Sequence, residues 1–219
     1  EETKRLIDAE KIVKAKGIAK TDTYTLAKIL GLLRTVNKYK LRKIISFHQT
    51  VSRAKHFVNP DGVDSLPVVN NVLPKRLGAR QLLWAGHVNG QMTTSTRATT
   101  LQCLEELDNT CVGLISNVAC LGEGIDLPDL DSVAFIDPKQ SEVDIIQAVG
   151  RILRVKHSQP VVIDIVDSHD VFQRQYQKRK AFYRKQKYKI IETNNGESSF
   201  DIKNWKVTYD PNNKKVHND

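Results

Sequence analysis

The stretch Cys111 to Ile136, CVGLISNVACLGEGIDLPDLDSVAFI, decides how the chain is read. It opens on a run of branched apolar residues with little alternation of polarity, and it closes on a second such run, Ser132 to Ile136. Runs of this kind suit strands covered on both faces. Between them Gly122, Gly124 and Pro128 make a tight loop, with Ser116 and Asn117 at its entrance. Gly124 lets a backbone approach a ligand closely. Asp126 has acceptors for a ribose hydroxyl, while Ser116 and Asn117 have donors for a nucleic-acid phosphate. An ordinary strand-to-strand connection, with Asp126 capping a turn, accounts for the same residues.

Outward from this stretch the pattern repeats. Lys43 to Phe47 (KIISF), Leu82 to Val88 (LLWAGHV) and Val161 to Val166 (VVIDIV) are further strand-type runs. Helical spacing links Val51, Ala54, Phe57 and Val58, and again Leu101, Leu104 and Leu107 in a helix from about Ser95. A third helix begins at Ser141 with Asp144 three residues on, the capping-box pattern, and continues through Val143, Ile146, Val149 and Leu153. Strands alternating with helices predict an α/β fold, an open parallel sheet flanked by helices, with ligands at the carboxyl ends of the strands. The main domain is expected over 41–167. Ahead of it, a charged helix to about Lys16 and a second one capped by Asp22, with Leu26, Ile29, Leu30, Leu33 and Val36 on one stripe, predict a helical connector over 1–40 at the domain's edge. Asn59 to Arg80, rich in Asp-Gly, Asn-Asn and Pro, reads as an insertion or long loop.

The remaining segment, 168–219, carries the charge. Of the 34 basic residues, eight lie in Val171 to Ile190 with no acid among them, and this stretch accounts for nearly all of the net charge of +9. It predicts a basic helix with Phe172, Tyr176 and Tyr183 turned inward. Ser198 to Tyr209 predicts a small hairpin and Pro211 to Asp219 a disordered tail.

Several classes are excluded. No apolar run approaches the roughly 20 residues that span a bilayer. The first residues are charged, which predicts a piece of something longer without a signal peptide. Cys103, Cys111 and Cys120 lack metal or redox spacing and sit among apolar neighbours. They predict buried thiols in a reducing, cytoplasmic setting, and the six scattered histidines predict no metal site.

The chemistry concentrates in Gln147 to Arg154, QAVGRILR. Arg151 and Arg154 are three apart, so both leave one helix face and can converge on a single polyanion. Gly150 removes a side chain beside them. Phosphoryl transfer needs fixed positive charge where negative charge develops. Two arginines held in surface ion pairs would satisfy the same pattern.

Taken together, GEGID and QAVGRILR, with SVAFIDPKQSEVDIIQ between them, resemble motifs V and VI of the superfamily 2 helicases. That group holds the DEAD-box and DEAH-like helicases and the restriction-enzyme translocases. KIISFH resembles motif IV, and HVNGQMTTSTR resembles the segment in which a strand leads to a helix with an early arginine, here Arg97. The resemblance covers about Leu41 to Val166 and implies a RecA-like C-terminal lobe. It further implies that Arg151 and Arg154 are arginine fingers, that Gln147 links nucleotide and nucleic acid, and that Glu123, Gly124 and Asp126 lie on the ATP side. Ser46, His48, Ser116 and Asn117 would lie along the nucleic-acid strand, and Lys178, Arg179 and Arg184 of the basic helix are expected to add phosphate contacts. Ala148, where DEAD-box proteins have arginine, and the long loop with Leu121 and Glu123 point instead to DEAH-like and type I or III restriction-like motors, with DNA favoured over RNA. No GxxxxGK[ST] loop or DExx acid pair occurs in the sequence. The β- and γ-phosphates and Mg²⁺ are therefore expected to belong to a first RecA-like lobe of the same polypeptide, without which this chain is expected to be inactive. The alternative is a non-catalytic RecA-like nucleic-acid-binding or scaffold module.

Overall fold

A computed structural model describes residues 23–62, 64–72, 83–118, 130–137, 146, 150, 159–166, 169–193 and 205–213. Five strands form one parallel sheet: β1 (Lys43–Phe47), β2 (Leu83–Asn89), β3 (Val112–Val118), β4 (Ser132–Phe135) and β5 (Val161–Asp164), in the order β2-β3-β1-β4-β5. The strand predictions thus stand, and the reason is burial on both faces. Ile44, Leu114 and Ala134 enter one apolar cluster, while their sequence neighbours Ile45, Ile115, Val133 and Phe135 enter the other. Branched residues at consecutive positions are what such a sheet requires.

On the first face lie α1 (Thr23–Tyr39), α2 (Val51–Phe57) and α3 (Leu66–Val72). The helix expected as an edge connector is a layer of the core: Leu26, Ile29, Leu30, Leu32, Leu33 and Val36 of α1 are all buried against the sheet. Helix α3 corrects the expected long loop at Asn59 to Arg80. Leu66 and Val69 are buried, and Pro67 sits in the first turn, where a missing N–H costs nothing. The turn-forming Asp61-Gly62 and Asn70-Asn71 masked that short apolar face.

The second face carries α4 (Thr94–Glu105) and α5 (Asp170–Lys185). Helix α4 approaches β3 so closely that a Cβ on Gly113 would lie 2.2 Å from Leu107 Cδ1 and 2.3 Å from Leu104 Cδ1. Any side chain there would have to displace both leucines. Leu101 and Leu104 face inward, so Cys103 is turned outward and exposed, and Cys111 is half-buried. The expectation of buried thiols is corrected for both, and Cys120 lies outside the described residues.

Two acids bracket β4. Asp131 accepts from the backbone N–H groups of Arg42 and Lys43 at 2.7 and 3.3 Å, fixing the start of β1, and Asp137 stands at the opposite, carboxyl end. Beyond α5 the chain reverses at Lys187, whose φ is 59°, into β6 (Ile190–Glu192). That strand pairs antiparallel with β7 (Lys206–Tyr209). Of the segment Ser198 to Tyr209, expected as a hairpin, residues 198–204 lie outside the described residues, and its described strand pairs with one that follows the basic helix. No described helix is long and apolar enough to cross a membrane.

Candidate functional site

The carboxyl ends of β1, β2 and β3 place polar residues in register. His87 is opposite Ser116, and Ser116 is opposite Ser46. Proton positions follow from one fixed donor. The backbone N–H of Gln91 donates to Asn89 Oδ1 at 2.8 Å, so the amide nitrogen of Asn89 faces His87 Nε2 at 2.9 Å and donates to it. His87 Nε2 is then bare, and its proton sits on Nδ1, 2.9 Å from Ser116 Oγ. Ser116 passes its own proton to the carbonyl of Ala54 on α2, at 2.8 Å. The chain of donors runs from a turn, through two strands, to a helix.

A second group sits beside it. Ser46 Oγ is 3.0 Å from His48 Nε2, and His48 packs on Phe57 with ring centroids 4.9 Å apart. Its other nitrogen lies 3.9 Å from Asp137. Asp137 accepts from the backbone of Gln49 at 3.1 Å and from Lys28 and Arg53 at 3.4 Å each. One carboxylate thereby ties the ends of β1 and β4 to α1 and α2.

Burial pushes His48 down to about 4, opposed by Asp137 and reinforced by His87, Lys28 and Arg53. Burial also lowers His87, with Lys55 acting in the same sense and the Ser116 backbone opposing. Both imidazoles are neutral at pH 7, in agreement with the proton positions derived for His87.

The structure places Ser46, His48, Ser116 and Asn117 at the ends of β1 and β3, 0–2% exposed. Strands β1 and β3 are central, and α2 covers Ser116, which donates to Ala54, and His48, which packs on Phe57. Their expected direct contact with a nucleic-acid strand is corrected: they organise the edge from below, and Gln49 and Thr50 are the exposed residues beside them. Arg179 is likewise corrected. It is 2% exposed, with Nε 2.7 Å and Nη2 2.9 Å from the two oxygens of Asp164, whereas Lys178 and Arg184 are on the surface. Gln147, Arg151, Arg154, Glu123, Gly124 and Asp126 lie outside the described residues. Within that segment residues 146 and 150 are helical, and Ile146, expected on the apolar stripe, is 46% exposed. Asn89 and Asp137 escaped the sequence reading. Their signal was positional: each is the polar residue with which an apolar strand run ends.

This edge, on a parallel sheet of this order, can be compared with known proteins. The helicase conserved C-terminal domain family matches residues 25–156, more than half of the chain. The chain belongs to that family. A putative ATP-dependent RNA helicase of Acanthamoeba polyphaga mimivirus is 46% identical over 71 residues, which are 31% of this chain and 13% of that protein. Among solved structures, the ATP-dependent Type ISP restriction-modification enzyme LlaBIII bound to DNA is similar at 26% identity with a TM-score of 0.56, covering 75% of this chain and 12% of the enzyme. The C-terminal part of the Fun30 ATPase domain shares the fold, with a TM-score of 0.51 at 18% identity, covering 74% of this chain and 48% of that one. The helicase lobe therefore spans only about an eighth of the first two relatives. Its matched segment begins inside α1, in keeping with that helix being core.

Proposed function

We propose that the chain is the second motor lobe of an ATP-dependent helicase or translocase, closing on a first RecA-like lobe of the same polypeptide. The observation that carries this reading lies at positions 146 and 150. These are one helical turn apart. Ile146 is 46% exposed, and nothing among the described residues lies within 4 Å of where a Cβ on Gly150 would stand. An uncovered large apolar side chain beside bare helix backbone suits a face on which another lobe closes. Arg151 and Arg154, three apart in the sequence, act as arginine fingers on the polyphosphate. Gln147 links the nucleotide to the nucleic acid, and Glu123, Gly124 and Asp126 serve the ribose side.

ATP with Mg²⁺ supplies the phosphoanhydride whose hydrolysis drives the lobes, and the first lobe holds the metal. The chain alone hydrolyses no ATP. Ser46, His48, Ser116 and Asn117 hold the carboxyl edge in shape so that its surface tracks the strand. DNA is favoured as the strand, on Ala148 and the long loop and on the DNA-bound restriction enzyme among the similar structures. The test is nucleic-acid-stimulated ATP hydrolysis by the polypeptide with both lobes. Arg151→Ala or Arg154→Ala is expected to reduce turnover by about three orders of magnitude while nucleic-acid binding persists. Unchanged turnover would overturn the assignment and favour a scaffold module.

A further inference from the structure

Helix α5 lies beyond residues 25–156 of the family match. Its sequence DVFQRQYQKRKAFYRK carries six cations and one acid, and the fold sorts the cations into two kinds. The inward ones are neutralised. Arg179 pairs with Asp164, which also accepts from Tyr183 at 3.1 Å, and Lys180 meets Glu192 at 2.8 Å, beside Tyr176. These contacts, with buried Phe182, fix the rotation of the helix.

Of the four exposed cations of α5, Arg184 lies 5.7 Å over the Tyr209 ring, and the others are Arg174, Lys178 and Lys185. All three are exposed, and no described carboxylate pairs with any of them. At about 100° per residue they fall within roughly 40° of one another, a single stripe about 16 Å long. Arg174 and Lys178 are four apart, a like-charge spacing that destabilises an isolated helix. A solvated helix would relieve it with acids at i±4; Asp170 stands four before Arg174, but Lys178 and Lys185 have no acid at either position. A polyanion laid along the stripe relieves it instead, and 16 Å matches about five phosphates of one nucleic-acid strand.

We propose that Arg174, Lys178 and Lys185 form a rail for the phosphodiester backbone of nucleic acid, independent of base sequence and of ATP, held in orientation by the Arg179–Asp164 pair. The rail extends the nucleic-acid track of the proposed motor and rests on that reading for its partner. Arg179 is a positioning residue here, since it touches the sheet and not the strand.

The experiment measures binding of the 219-residue chain to labelled 20-mers without ATP, from 50 to 200 mM salt, by fluorescence anisotropy. Three phosphate contacts predict a log–log salt slope steeper by about 2.7 on duplex and about 2.1 on single strands than that of the Arg174→Ala/Lys178→Ala/Lys185→Ala variant. DNA and RNA are expected to respond alike, because only backbone is met. Circular dichroism confirms that the variant, altered only on the surface, stays folded. An unchanged slope, no binding by the parent chain, or loss of binding to anionic vesicles but not to nucleic acid would overturn the rail. None of these outcomes touches the arginine fingers, whose test is turnover by both lobes. Conversely, a normal turnover in Arg151→Ala with a shallower slope in the rail variant would remove the motor and keep the rail.

Discussion

The carboxyl edge of the sheet and helix α5 are both rich in polar side chains, and they use them in opposite ways. At the edge Ser46, His48, His87 and Ser116 spend their donors and acceptors on one another and on backbone, so the polar groups are structural and neutral. On α5 a buried pair, Arg179 with Asp164, fixes the helix while Arg174, Lys178, Arg184 and Lys185 face water. The contrast teaches that residue type alone does not tell a contact residue from a scaffold residue. What decides is whether the position lies on a strand covered on both faces or on the outer side of a one-sided helix.

The largest effect that sharpens this contrast is at Arg179. Arg179→Ala strands the Asp164 carboxylate beneath the helix, and is expected to cost about 3–5 kcal/mol in urea unfolding. Replacing both partners with apolar residues of similar volume is expected to recover most of that loss. A loss below about 1 kcal/mol would show that the pair does not anchor the helix, and α5 would then resemble its own exposed side.

Next in size is the response of the edge to acid. His48 has its proton affinity lowered to about 4 in the fold against an ordinary 6.5, so between those values the unfolded chain binds a proton that the native one refuses. Stability therefore falls as pH falls through that window, by about 2 kcal/mol between pH 7 and pH 5, and levels off below about 4. His87 moves in the same direction and adds to the slope. Urea midpoints across this range measure it. His48→Gln is expected to flatten the profile, and an unaltered profile would mean that the edge is wetter than its burial implies.

Much of this was legible in the sequence, for identifiable reasons. The five strands announced themselves because consecutive branched residues have few other uses, and α1 because its apolar stripe was complete. What was misjudged was depth. Ser46 and Ser116 end apolar runs, which marks them as edge residues, but nothing local records that Ala54 will roof Ser116 or that His48 will fold back on Ser46. Arg179 sits among five other cations of α5, and its burial depends on Asp164, fifteen residues away on the edge strand. Helix α3 was hidden because its two buried apolar residues, Leu66 and Val69, are embedded in turn formers. Asp137 was passed over because its partners, Lys28, His48, Gln49 and Arg53, converge on it from two distant segments.

The smallest effect distinguishes two neighbouring lysines of α5. Lys180 is partly covered and 2.8 Å from Glu192, so Lys180→Gln is expected to cost at most about 1 kcal/mol. Lys178 is exposed, four residues from Arg174, and has no described acid nearby. Lys178→Gln removes a repulsion and is expected to stabilise the chain by about 0.3 kcal/mol at low salt. At 1 M salt the Debye length is about 3 Å, so both changes should shrink toward zero. The opposite signs at low salt are the diagnostic. If Lys178→Gln destabilises as Lys180→Gln does, the outward cations are engaged in the fold itself, and the division of α5 into an anchoring side and a free side fails.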